Sequence, residues 1–285
     1  MRRFVRGICL AALLLSASCA GAAEKLNAVV THPWLAIIAS FLGGPNVVVS
    51  PLLVWNDAGE LVRAEGGRRL RGLEADANIM ALDSADAEAA GLKGDTQKNL
   101  RMLYAPFPIA ASSRDAAMAD PSVTPFVAQR VLTILAGWDP SNYSYYQRRL
   151  AEFQARLSSS VLAGRQVLQG VAVCDLSGAS GALLRAAGCR VERPDIRQLE
   201  GWSRSSQQQL RHFLDEKAAA KVVVVMDGGT PKALKGFLKG RDEVFSFARP
   251  PLDKSYPVFL NDQYISLWQK ISATPLPKVQ PGKKR

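Results

Sequence analysis

The chain has 285 residues, 48% of them hydrophobic and 7% aromatic, so it can bury cores of ordinary size and disorder is not its default state. Its formal net charge of +11 is concentrated at the two ends, with Arg2, Arg3 and Arg6 opening the chain and Lys278, Lys283, Lys284 and Arg285 closing it. The weakly basic body between them excludes a charge-driven nucleic-acid surface.

The first 23 residues, "MRRFVRGICLAALLLSASCAGAA", combine a basic start, an apolar run from Ile8 to Leu15 and a small-residue end. That layout predicts a signal peptide cleaved after Ala22 or Ala23 and an exported, periplasmic chain. The run is too short to span a bilayer of about 30 Å. Lipidation at Cys19 is the alternative, disfavoured by Ser16 at the third position before it. Export permits a disulfide between the two remaining cysteines, Cys174 and Cys189. They flank one helix at opposite ends of neighbouring strands, beyond the roughly 7 Å that a bridge allows. Two buried free thiols are expected.

Strands and helices alternate along the body. Residues 25–31 read as a strand, 33–43 as a helix, 46–54 as a second strand, 66–76 as a helix and 77–83 as a third strand. After a less regular stretch, Val127, Val131, Ile134 and Leu135 recur at helical spacing, and Asp139-Pro140 stops that helix. Residues 141–162 then form one long helix, capped by Ser141 or Asn142, whose apolar stripe is Tyr146, Leu150, Phe153 and Leu157. The second half repeats the alternation, with strands at 169–175, 189–193, 221–227 and 243–249. Helices fall at 180–188, 205–219, 230–240 and 256–272. This pattern predicts parallel α/β sheets in two lobes, with a cleft at the strand carboxyl ends. The expected boundaries are an N-terminal lobe over 24–140, a linker helix over 141–164, a C-terminal lobe over 165–273 and a basic tail over 274–285.

The order of these pieces resembles the zinc/manganese family of ABC-transporter solute-binding proteins. "AVVTHPWLAIIASFLGGPNVVVSPLL" is similar to that family's opening, "LEADANIMAL" to its third strand and "WDPSNYSYYQRRLAEFQARL" to its linker helix. "EKAAAKVVVVMDGGTPKALKGFL" is similar to the strand and helix before its last ligand. The resemblance implies two α/β lobes with parallel sheets, joined by one long rigid linker helix. It also implies a divalent cation of the manganese or zinc class, an ABC permease in the inner membrane as partner, and a monomer.

The family's ligands are three His and one Asp or Glu, and none of the matching positions here carries His. The first falls in "WNDAGELVR", which leaves Asp57 or Glu60. The second falls in Asp120-Pro121-Ser122-Val123, where Ser122 replaces the imidazole. The third falls at "VCDLSG", with Asp175 and Ser177, and the last falls near Ala248 and Arg249. A three-His zinc site is excluded, since the chain has only His32 and His212. A carboxylate-rich site for a harder cation such as manganese remains. Its ligands would be His32, Asp57 or Glu60, Asp120 and Asp175.

His32 follows the first strand and either faces the cleft or starts a helix, satisfied by backbone. His212 reads as a surface residue. Asp175 and Asp227 end strands of the second lobe and either point into the cleft or cap helices. Trp55, in a polar loop, could wall an organic ligand, whereas Trp34 reads as core. Gly228-Gly229 lacks the length and the Lys-Ser/Thr of a phosphate loop. No nucleophile elbow, His-Glu-x-x-His or Cys–His pairing supports catalysis. The expectation is therefore a periplasmic solute-binding protein, not an enzyme, that delivers a cation to a permease. The alternative is the same scaffold without metal, serving as an exported accessory, interaction or organic-ligand-binding protein.

Overall fold

The computed structural model describes residues 25–64, 76–92, 97–110, 113–204, 207–241 and 243–273. The signal segment, the helix expected over 66–76 (except Asp76) and the basic tail lie outside these residues. The first strand, β1 (Leu26–Val30), pairs in parallel with β2 (Val47–Pro51) on one side and β5 (Asn78–Ala81) on the other. The edge strand β6 (Leu100–Met102) completes a four-stranded sheet ordered β2-β1-β5-β6. Between β1 and β2 runs α1 (Pro33–Gly43), which starts with a proline whose fixed φ suits a first helical turn. Every residue of α1 except Ser40 is buried, because it is enclosed by the sheet on one side and later helices on the other.

The strand expected over 46–54 is two strands. At Leu52 the backbone leaves the sheet, and β3 (Leu53–Trp55) pairs antiparallel with β4 (Leu61–Arg63). The turn chemistry explains the hairpin. Asn56 Oδ1 accepts the amides of Ala58 at 3.0 Å and Glu60 at 2.9 Å, and Gly59 takes a positive φ of 76°. The irregular stretch before residue 120 also holds short elements, α2 (Ser84–Ala89) and α3 (Arg114–Met118), besides β6.

Next come α4 (Thr124–Trp138) and the 26-residue α5 (Tyr143–Leu168). Asp139 organises the corner between them. Its carboxylate accepts from Ser141, Asn142 and the Tyr146 hydroxyl at 2.6–2.7 Å. Burial opposes its charge, but these hydrogen bonds prevail and hold it below the usual carboxylate range. Tyr146, Leu150, Phe153 and Leu157 are all buried, and the stripe continues through Ser160, Gly164 and Leu168.

The second sheet contains β7 (Ala172–Asp175), β8 (Arg190–Glu192), β9 (Val223–Met226) and β10 (Val244–Ser246), all parallel, in the order β10-β9-β7-β8. Its crossovers are α6 (Gly181–Ala186), the pair α7 (Ile196–Arg204) and α8 (Gln207–Ala219), and α9 (Lys232–Leu238). The closing helix α10 (Tyr256–Ala273) turns back onto α5, where the Ser160 hydroxyl donates to the Pro257 carbonyl at 2.8 Å. The protein is thus α/β, with two parallel-sheet lobes joined by one long helix. One continuous apolar core runs from Val30 and Trp34 of the first lobe through Phe153 to Val173, Phe247 and Tyr264 of the second. Full burial of each large side chain in it contributes about 1.5–3 kcal/mol. Cys174 and Cys189 are both buried and free, and burial pushes their thiols up to about 12 and about 11. None of the helices among the described residues is long and apolar enough to cross a membrane.

Candidate functional site

The carboxyl ends of β1 and β10 meet across the cleft between the lobes. His32 ends the turn after β1 and caps α1, with Nδ1 accepting the Trp34 amide at 3.2 Å. That bond places the imidazole proton on Nε2, which faces Asp115 Oδ1 at 3.8 Å. Behind it, buried Asp86 accepts from the Thr31 hydroxyl and the Leu82 amide, and buried Asp83 pairs with Arg114. Burial holds the His32 pKa below its ordinary value. Asp86 and Asp115 pull it up, and Arg249 and Arg114 push it further down.

Arg249, in the loop after β10, crosses from the second lobe. Its Nη2 donates to Asp115 Oδ2 at 2.8 Å, and its guanidinium carbon lies 5.7 Å from the centre of the Trp55 ring. The Trp55 ring in turn meets His32 and Trp34 edge-on. A second bridge comes from α9, where Lys235 Nζ donates to the carbonyls of Ala58 at 2.7 Å and Gly228 at 2.8 Å. Burial and the like charge of Arg249 pull the Lys235 ammonium below its ordinary value, against Asp227 and Glu60. A third is the Tyr256 hydroxyl, which donates to the Ala119 carbonyl at 2.6 Å. Beside Arg249 a cavity of about 30 Å³ is lined by Trp34, Phe247, Ala248, Pro250 and Phe259 among others. It admits a water-sized molecule, far below the ~300 Å³ of an organic-ligand pocket.

The residues singled out from the sequence are dispersed. Asp57 and Glu60 lie exposed on the β3–β4 turn, where Glu60 accepts from Asn56 at 3.1 Å. Asp120 turns back on its own loop, and its Oδ1 accepts the Ser122 amide at 2.8 Å and hydroxyl at 2.7 Å. Ser122 is exposed and borders a groove along α5 instead of the cleft beside Arg249. Buried Asp175 accepts from the Ser177 amide and hydroxyl and from the Ser180 hydroxyl. The Ser177 hydroxyl also lies 2.7 Å from Asp227 Oδ2, and Asp227 Oδ1 accepts the Gly229 amide. His32 and Trp55 therefore meet at the cleft, together with Asp115 and Arg249, and Asp227 lines the small cavity beside Arg249. Asp115 was not among the sequence candidates. Its signal would have been an acidic residue five positions before Asp120-Pro121, in a short helix that periodicity does not reveal.

A transition metal does not fit these residues. Among the described residues no group of three or more His, Cys, Asp or Glu could hold one. The carboxylates of Asp120, Asp175 and Asp227 are engaged by local hydrogen bonds, and a guanidinium occupies Asp115.

The fold is that of two-lobed, metal-type ABC solute-binding proteins. ZnuA superposes with a TM-score of 0.63 at 16% identity, over 86% of this chain and 99% of that one. The Pseudomonas aeruginosa protein FpvC, in complex with Mn2+, gives 0.60 at 18% identity, over 88% and 100%. The laminin-binding protein Lmb of Streptococcus agalactiae, described as bifunctional with adhesin and metal transporting activity, gives 0.60 at 15%, over 87% and 100%. Likeness at these identities establishes the fold. No protein-family profile and no curated protein sequence matches the chain.

Proposed function

We propose that this chain is an exported binding protein on the solute-binding scaffold, acting in the periplasm at an inner-membrane ABC permease without carrying a transition-metal ion. The scaffold and the leader-like first 23 residues support the general role and the setting, with a monomer as the working form. One observation carries the metal-free part. The Arg249 guanidinium supplies positive charge at Asp115, beside His32, so a dication would have to displace a cation that is covalently tethered.

The second reading is delivery of a divalent cation to the permease. It is favoured by the approach of His32 Nε2 to Asp115 Oδ1 at 3.8 Å. Neighbours with this fold are recorded with zinc, Mn2+ and Ni2+. Titration calorimetry of chelator-stripped protein with zinc, manganese and nickel separates the two. The metal-free reading expects only heats of dilution. One-to-one binding with a Kd below about 1 μM, lost in His32→Ala and in Asp115→Asn, would establish the carrier instead.

A further inference from the structure

The close approach of the lobes at Arg249 depends on two glycines. A Cβ on Gly228 would lie 2.4 Å from Arg249 Nε and 2.9 Å from Cζ, so the guanidinium takes the space of a side chain. Gly59, at the tip of the opposite hairpin, would bring a Cβ within 2.8 Å of the Gly228 backbone. Between these surfaces Arg249 grips Asp115 and lies near the Trp55 ring, while Lys235 grips the carbonyl of Ala58. Asp115 Oδ1 and Arg249 Nε are buried without a hydrogen-bond partner. Neither could be abandoned by the other without leaving charge poorly solvated.

Resting on the metal-free reading of the cleft, we infer that Arg249 is the cleft's own tethered cation, neutralising Asp115, holding the lobes closed and excluding divalent cations from His32 and Asp115. A guanidinium on the same chain acts at a high effective concentration and never dissociates. Its planar fork and delocalised charge suit simultaneous contact with a carboxylate and an aromatic face. Closure thus needs no ligand, and the closed form is the resting form. Arg249 is then also the residue that sets what the cleft accepts.

The test compares wild type, Arg249→Met, Arg249→Lys and the double variant Asp115→Asn/Arg249→Met. Small-angle X-ray scattering in chelator reads closure with no metal present. Arg249→Met is expected to have a larger radius of gyration than wild type and to melt at least ~4 °C lower. Zinc chloride and manganese chloride then serve as probes in thermal melts. They are expected to raise the melting temperature of Arg249→Met but not of wild type, Arg249→Lys or the double variant. Wild-type scattering and melting in Arg249→Met overturn the inference. So does a rise with zinc in Arg249→Lys equal to that in Arg249→Met. Should Arg249→Met fail to fold, Arg249→Lys carries the test: wild-type scattering and no zinc response are expected, and an expanded or zinc-stabilised Arg249→Lys overturns the inference. If wild type binds zinc, the metal-free reading falls, and the scattering in chelator still judges closure by Arg249 separately.

Discussion

Arg249 Nη2 and Asp115 Oδ2 lie 2.8 Å apart across the cleft, although 134 residues separate them in the chain. The pair joins the loop after β10 to the short helix α3, and so ties the second lobe to the first. With the two side chains 16% and 29% exposed, it lies between a surface pair and a buried one. An exposed pair contributes up to about 1 kcal/mol, whereas breaking a fully buried one costs about 3–5 kcal/mol. A loss of ~1–3 kcal/mol on removal of Arg249 is the expectation from these limits.

Gly228→Ala should displace the guanidinium and destabilise the protein by ~1–2 kcal/mol, the scale of overpacking. In an Arg249→Met background the same change should cost much less, because the charged head it strikes is gone and both changes break one contact. A double-mutant cycle by urea denaturation measures this. Additive losses would mean that Gly228 is required for something other than Arg249.

His32 titrates in a window that the structure sets. The unfolded chain takes up a proton near the ordinary value of 6.5, while the folded state, with its imidazole desolvated, resists it. The unfolded state therefore binds more protons as the pH falls below 6.5, and stability decreases until the lower, folded value is passed. Above 6.5 the contribution is fully present. The wild-type melting temperature should fall more steeply between about pH 7.5 and 5.5 than that of His32→Asn, which keeps an acceptor for the Trp34 amide. Equal slopes would exclude His32 as the group responsible.

Two glycines in long helices should respond in opposite directions. Gly164 of α5 faces the Tyr264 ring, and an added Cβ would come within 2.4 Å of it. Tyr264 cannot easily retreat, because it is fully buried and its hydroxyl donates to the Leu183 carbonyl at 2.7 Å. Gly164→Ala should cost ~1–3 kcal/mol. Gly137 of α4 has nothing within 4 Å of its Cβ position, so Gly137→Ala should stabilise by up to about 1 kcal/mol through helix propensity. Chemical denaturation of both variants is the check. A neutral Gly164→Ala would mean that α5 and α10 are less tightly apposed than described.

Much of this architecture is legible along the chain. The apolar runs around Val29, Val173 and Val224 are strands because β-branched residues pack on a pleated, covered surface. The stripe Tyr146, Leu150, Phe153 and Leu157 marks one buried helix face because its spacing of four, three and four matches the helical turn. These signals act over a few residues and need no knowledge of the rest of the molecule. The break at Leu52 is not legible in the sequence, because Asn56 and Gly59 set the turn by hydrogen bonding and a positive φ, which hydrophobic periodicity does not register. Asp120 carries the suggestive motif, yet its carboxylate bonds to Ser122 two residues away, while Asp115 faces the cleft. Which carboxylate meets Arg249 depends on where two sheets and a 26-residue helix place the opposing loops. A charge pair forms by distance in space, and across a closed cleft that distance is fixed by the packing of the lobes.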